Sequence, residues 1–101
     1  MNETLVELFR HKTWATLLLI EACQGLDEEV LDRTTTPGTY GTIRDTLRHL
    51  VGADQSYLAT VTGERPAHPL PDGRVSLESL ADLTREQIGR ASCRERVCLY
   101  V

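Results

Sequence analysis

Residues 40–50 read Tyr40-Gly41-Thr42-Ile43-Arg44-Asp45-Thr46-Leu47-Arg48-His49-Leu50. Glycine permits the backbone conformation of a turn, and Ile43, Leu47 and Leu50 then recur at spacings of three and four residues. This pattern predicts a turn that leads into an amphipathic helix, with His49 just beside its apolar stripe. A catalytic metal site needs about three protein ligands. The rest of the chain does not obviously supply the two further ligands that a metal bound to His49 would require.

The same periodicity extends this helix over residues 42–62, with Thr39 or Thr42 as its N-cap and Gly63 at its C-terminal stop. The residues on one line of the helix are Ile43, Leu47, Leu50, Asp54, Leu58 and Val61. Asp54 therefore lies on the apolar line, where a carboxylate is costly unless it is paired. Its candidate partners are His11, Lys12 and the Tyr57 hydroxyl. Alternatively, a small rotation of the helix lets Asp54 reach water.

A first long helix is predicted over residues 3–31. Its apolar residues recur at helical spacing and are Leu5, Leu8, Phe9, Ala15, Leu18, Leu19, Ala22 and Leu26. Three further residues, Val6, Leu17 and Ile20, widen this stripe, so we expect the helix to be buried on more than one side. Gly25 loosens or ends it near Leu26, after which residues 27–29 begin a further helical turn with acidic side chains near its positive end.

Two connections and a third helix complete the pattern. Residues 34–39 combine threonines with a proline and a glycine, which predicts a turn, and residues 64–73 hold three prolines, which predicts a crossover loop or linker. Ser76 caps a third helix that runs to about Gln87 and is apolar on one side. The periodicity stops there, and residues 88–101 show no pattern that continues it. The sequence therefore predicts an all-α fold.

The composition fits a one-domain helical protein. The chain has 101 residues, of which 41% are hydrophobic and only 5% aromatic, whereas strands favour aromatic residues. No apolar run reaches the 18 or so residues of a membrane span, so we expect no membrane partner and a cytoplasmic location. A net charge of -4 without a basic stripe in the first 88 residues argues against nucleic acid as a partner. The three cysteines have no framework spacing, so we expect free thiols.

Each remaining candidate residue has a structural alternative. Periodicity alone favours a half-exposed surface histidine at His49, and Asp45 one turn earlier is either an orienting carboxylate for its ring or a solvated charge. Trp14 is interpreted as a core or seam residue, with a ring beside a pocket as the alternative. His11 is interpreted as a core-edge residue rather than a ligand, and His68 as an exposed loop residue.

Two segments resemble the N-terminal half of the DinB-like (YfiT-like) superfamily. They are Leu8-Phe9-Arg10-His11-Lys12-Thr13-Trp14-Ala15-Thr16 and Gly41-Thr42-Ile43-Arg44-Asp45-Thr46-Leu47-Arg48-His49-Leu50-Val51. The segment Gly63-Glu64-Arg65-Pro66 also resembles the end of that family's second helix. The most diagnostic part is the pattern Ile-Arg-x-x-Leu-x-His over residues 43–49. The resemblance covers residues 3–87 and implies an up-down four-helix bundle.

The resemblance also implies a metal site. Members of the family typically hold a divalent metal, such as zinc or nickel, with one histidine on the second helix and two more, a turn apart, on the fourth. His49 matches the first of these, and no histidine follows His68 to match the others. We therefore expect residues 1–87 to form a partial DinB-like domain, truncated before the fourth helix to about three helices. Residues 88–101 resemble a cloning or assembly artefact, with a genuine short basic tail as the alternative.

These expectations lead to two hypotheses of function. Related enzymes use low-molecular-weight thiols such as mycothiol or bacillithiol, so the first hypothesis is a divalent-metal-dependent, thiol-using transferase or hydrolase with an incomplete metal site. His49 is then a surviving ligand, the metal is not held tightly, and no catalytic residue is assigned. The second hypothesis is a helical dimerisation or interaction module without metal. It follows from the apolar groove that a missing helix would leave, which favours a homodimer.

Overall fold

The computed structural model describes residues 3–33 and 41–100, with side chains described through residue 91. Four helices lie in these ranges: α1 (Glu3–Cys23), α2 (Glu28–Leu31), α3 (Ile43–Thr62) and α4 (Leu77–Tyr100). All regular secondary structure in the described ranges is helical, so the predicted all-α fold is confirmed, with three long helices and the single turn of α2. Within the same ranges, no helix has the length and apolar character needed to cross a membrane.

The ends of α3 are fixed by local hydrogen bonds at both predicted caps. The Thr42 hydroxyl accepts from the Asp45 backbone N–H at 3.0 Å, and the Asp45 carboxylate accepts from the Thr42 N–H at 3.4 Å, which completes a capping box. Gly63 ends the helix with φ of 75°, and its N–H donates to the Ala59 carbonyl. The alternative cap Thr39 and the predicted turn at residues 34–39 lie outside the described residues.

The first helix is shorter than predicted. It ends at Cys23 rather than near Leu26 or Leu31, and the further helical turn predicted to begin at residues 27–29 is present as α2. The sequence Gln24-Gly25-Leu26 interrupts the helix because glycine is a poor helix former. The break turns the chain so that Leu31 of α2 is buried in the main core. The predicted break at Gly25 is thus confirmed, and the continuous helix is not.

The three long helices pack around two apolar clusters. One cluster joins Phe9 of α1, Leu58 of α3 and Ala91 of α4. The larger cluster, nearer the other end of α1, includes Ile20, Leu31, Leu47, Val51, Val75, Leu77, Leu80, Ala81 and Leu83. Since the partners of Phe9 lie late in α3 and α4 whereas those of Ile20 lie early, α1 runs antiparallel to both helices. The connection after α3 therefore crosses the length of the bundle and leaves α3 and α4 parallel.

The buried face of α1 differs from the predicted apolar stripe. Its buried residues are Val6, Phe9, Thr13, Thr16 and Ile20. Predicted stripe residues Leu8 and Leu19 are exposed instead. The helix carries apolar side chains around most of its circumference, so periodicity could not select the correct side. The buried side includes threonines, and Thr16 satisfies its hydroxyl within the helix by donating to the Lys12 carbonyl at 3.0 Å.

The third long helix, α4, continues well beyond its predicted end. Ser76 accepts from the Ser79 N–H at 3.1 Å, so the predicted N-cap is confirmed, but the helix passes through Gln87 and reaches Tyr100. Its buried line continues through Leu80, Thr84, Gln87 and Ala91 at spacings of four, three and four. An apolar count misses this line because Thr84 and Gln87 are polar. Whether residues 88–101 form a separate non-native tail stays a prediction.

Candidate functional site

His49 lies on the exposed side of α3, although it follows the buried residue Leu47 by only two positions. The backbone position of His49 is fixed because α3 is capped at both ends and packs against α1 and α4. The nearby carboxylate of Asp45 is used in the N-terminal capping box. His49 is therefore an accessible side chain on a rigid element, and its assignment as a metal ligand stays a prediction.

A metal centre is not assembled within the described part of the chain. No three histidine, cysteine, aspartate or glutamate side chains in residues 3–33 and 41–91 lie close enough together to hold a metal ion. His11 lies on α1 with its Nε2 3.9 Å from Glu7, and His68 lies on the crossover loop beside Glu86. A single imidazole cannot provide the convergent ligand set of a zinc or nickel site.

Trp14 and His11 lie at the surface of α1 rather than in or at the edge of the core. The indole of Trp14 is 55% exposed, and both side chains line a cavity of about 310 Å³ together with Glu7, Arg10 and Ile88. The interpretation of Trp14 as a core residue is therefore wrong, and so is the core-edge position of His11. The position of Trp14 instead agrees with the alternative interpretation, a ring beside a pocket. Trp14 lies away from the buried side of α1, which includes Thr13 and Thr16.

Asp54 is buried and has one of its predicted partners. Its Oδ1 accepts from the Lys12 ammonium at 2.5 Å, and the aspartate is only 1% exposed. The other oxygen, Oδ2, has no hydrogen-bond partner among the described residues, and neither does the Thr13 hydroxyl or the Gln87 amide. The Lys12–Asp54 pair thus joins α1 to α3 across a polar stretch of the core, where a lone carboxylate would be costly.

A buried arginine, Arg44, holds α2 and the residues just before α4 against α3. Its Nε donates to Asp32 Oδ1 at 2.8 Å, its Nη1 donates to the Val75 carbonyl at 3.0 Å, and its Nη2 contacts Glu28. The exposed residue Arg74 donates to the same two carboxylates. Sequence reasoning missed this cluster, although Glu28 and Asp32 share a helical face at i, i+4 and so form one acidic surface.

The arginines change the protonation of Asp32. Hydrogen bonds from Arg44 and then Arg74 hold the pKa of Asp32 below its ordinary value of 3.8, because both stabilise the ionised carboxylate. Since the unfolded chain binds this proton more readily, the stabilisation from Asp32 is complete only well above the ordinary pKa of 3.8. It is lost as the pH falls through the folded-state pKa.

The crossover loop at residues 64–75 is held against α3 and α4. The Gln55 amide donates to the His68 carbonyl at 3.0 Å and accepts from the Leu70 N–H at 2.9 Å, while Arg48 donates to the Pro71 carbonyl at 2.7 Å. The predicted exposure of His68 is confirmed, but its Nδ1 also lies 2.8 Å from Glu86 Oε2 of α4. The sequence showed the three prolines of this loop but not its long-range anchors.

Comparison with known proteins gives one family. The family model described as the DinB family matches residues 1–92 of the chain, which includes all of α1, α2 and α3 and most of α4. No curated protein and no solved structure gave a match.

Proposed function

The chain belongs to the DinB family, and on that premise we propose that it provides the His49-bearing part of a divalent-metal-dependent, thiol-using transferase or hydrolase. The family resemblance of residues 43–49 supports this proposal. The observation that carries it is the position of His49, which is exposed on a helix capped at both ends, so its ring is accessible to a metal. A low-molecular-weight thiol is the co-substrate that the resemblance implies.

The described residues do not by themselves fit a complete metal site, because no three potential ligands converge. His49 would supply one ligand, and the others would have to come from another segment or another chain. No catalytic step is therefore assigned to the residues of this chain. When bound, zinc or nickel would supply the positive charge that converts a thiol into its nucleophilic thiolate.

Zinc titration of an extended chain tests this role of His49. We expect the unmodified chain to bind zinc weakly, since a single imidazole competes with water for the ion. Appending an amphipathic helix that carries two histidines one turn apart should raise the zinc affinity by at least about 100-fold. Even a residue that only hydrogen-bonds to a metal ligand contributes about 10–100-fold to the affinity for the metal. Isothermal titration calorimetry measures both affinities.

The matched control separates His49 from histidines in general. In the extended chain, His49→Ala should abolish the gain in zinc affinity, whereas His11→Ala, which removes another exposed histidine, should leave it unchanged. Tight binding that survives His49→Ala would refute the proposed ligand. Tight one-to-one binding by the unmodified chain that is lost in His49→Ala would show that a complete site already exists.

A second candidate function, self-association without metal, is favoured by the surface of α1. Leu8, Leu18 and Leu19 are exposed together with Ala15 and Ala22 on one side of the helix, which we term the exposed leucine face. Exposed apolar side chains clustered on one side of a helix are typical of interaction sites. We propose that two copies of the chain associate through this face, and that the family's bundle scaffold serves only as an interaction module in that case.

Light scattering coupled to size-exclusion chromatography tests this association. The unmodified chain should elute with the mass of a dimer at micromolar concentration, and Leu19→Lys should shift it to a monomer because it places a charge in the leucine face. Gln24→Lys adds the same charge at an exposed polar position beyond the end of α1 and should keep the dimer. A monomeric unmodified chain that binds no hydrophobic dye would contradict the proposal.

A further inference from the structure

A cleft of about 610 Å³ lies between the crossover loop and α4. This volume is within the range of small-molecule sites in proteins, about 300–1,000 Å³. The apolar part of its lining comes from Ala67, Pro69 and Pro71 of the loop and Leu83 of α4. The cleft does not include His49 and lies outside the function proposed above.

The loop wall of the cleft is preorganised. Gln55 binds the loop backbone on both sides of Pro69, through the His68 carbonyl and the Leu70 N–H, and Arg48 binds the carbonyl of Pro71. Proline also fixes its own φ, so the loop has few alternative conformations. A ligand that enters this cleft would therefore lose little affinity to ordering of the protein.

The opposite wall is one face of α4 that carries Ser79, Asp82 and Glu86 at spacings of three and four. Asp82 accepts from the exposed Arg85 at 3.1 Å, whereas the Glu86 side chain is only 24% exposed. Glu86 Oε2 is bonded to His68, and Oε1 is buried without a hydrogen-bond partner among the described residues. Among the side chains that the structure describes, the largely buried Glu86 carboxylate thus has one hydrogen-bond partner, the His68 imidazole.

From this charge balance we infer that the cleft binds a small organic ammonium ion with a short apolar body. Asp82 is already paired with Arg85, whereas Glu86 has no lysine or arginine partner among the described residues, so the cleft attracts a cation beside Glu86. The proline and leucine walls accept the apolar body. The ammonium group takes a position beside Glu86 and compensates a carboxylate charge that the protein has taken largely out of water.

Comparing benzylamine with benzyl alcohol tests the inference on the unmodified chain. The two probes have nearly the same shape, but only benzylamine is a cation at pH 7.5. We expect benzylamine to bind at least about tenfold more tightly, because hydrogen bonds to charged groups are stronger than neutral ones. Amide chemical shifts in a proton–nitrogen NMR titration give the affinities, and the largest changes should map to Ala67, His68 and Leu70 and to residues 79–86.

Two variants with the same change in net charge sharpen the test. Glu86→Gln should weaken benzylamine binding about tenfold and leave benzyl alcohol unaffected, since it keeps the side-chain size and removes the charge. Glu78→Gln removes an exposed carboxylate from the same helix outside the cleft and should have no effect. Circular dichroism melting confirms that both variants fold.

Four results would overturn the inference. Equal affinities for the two probes would show that charge is not recognised. Shifts that map to the exposed leucine face would show apolar adsorption, and binding that survives Glu86→Gln would show a different anchor. Zinc that shifts the cleft resonances when benzylamine does not would identify a metal site there instead. None of these results depends on His49, so failure here leaves the proposed metal function untouched.

Discussion

Replacing Ile20 by alanine is expected to lower the free energy of unfolding by about 3 kcal/mol, near the middle of the range for buried isoleucine truncations. Ile20 is fully buried in the larger cluster, where residues of α2, α3 and α4 surround it. The lost side chain leaves a cavity that rigid helices on several sides cannot fill. For a chain of this size the melting temperature should fall by about 15 °C in thermal denaturation.

The neighbouring substitution Leu19→Ala is the matched control. Leu19 is 47% exposed in the monomer, so at a protein concentration too low for self-association its truncation removes little buried surface and should cost well under 1 kcal/mol. The two residues are adjacent and both apolar, and they differ in that Ile20 faces the bundle whereas Leu19 does not. Equal losses for both variants would show that the leucine face is covered in solution. A larger loss for Leu19→Ala would reverse the burial assignment of α1.

Replacing Arg44 by alanine is the second change with a large expected effect, a loss of about 3 kcal/mol in the free energy of unfolding. Arg44 is 3% exposed, and its guanidinium binds two carboxylates and the buried carbonyl of Val75. Its removal leaves that carbonyl without a donor and opens the junction of α2, α3 and α4. Chemical denaturation with urea measures the loss.

Arg74→Ala removes the other cation of the same cluster and serves as the control. Because Arg74 is mostly exposed, water replaces its contacts, and the variant should unfold close to the unmodified chain. Arg44→Ala should also make stability less sensitive to acid below about pH 4, since Arg44 is the largest cause of the lowered pKa of Asp32. Similar losses of unfolding free energy for both arginine variants would contradict the expectation that the burial of Arg44 makes its removal more costly.

The sequence predicted best the features that depend on neighbours along the chain. Both caps of α3 and the Ser76 cap of α4 follow from residues at or next to each helix end. The buried face of α1 was not predicted correctly because apolar residues surround the helix. The extent of α4 was underestimated because the polar residues Thr84 and Gln87 continue its buried line. The end of α4 and the buried face of α1 depend on which other helices pack against them, and the sequence of a single helix does not contain that information.

The same division applies to the candidate site. The need of Asp54 for a partner was evident from its place on the apolar line, and Lys12 was among the candidates. The Arg44 cluster and the cleft beside Glu86 were not evident, because their residues come from distant segments. The location of His68 opposite Glu86 is set by the Gln55 contacts to the loop backbone, which no spacing in the sequence indicates.

The antiparallel position of α1 has a consequence for synthesis on the ribosome. Phe9 is synthesised early. Its partner Leu58 is added after about half of the chain, and its partner Ala91 only after most of it. The cluster around the aromatic ring therefore cannot be completed until Ala91 of α4 has been synthesised. Such late closure between distant segments slows folding and prolongs the period in which nascent chains attract chaperones or one another.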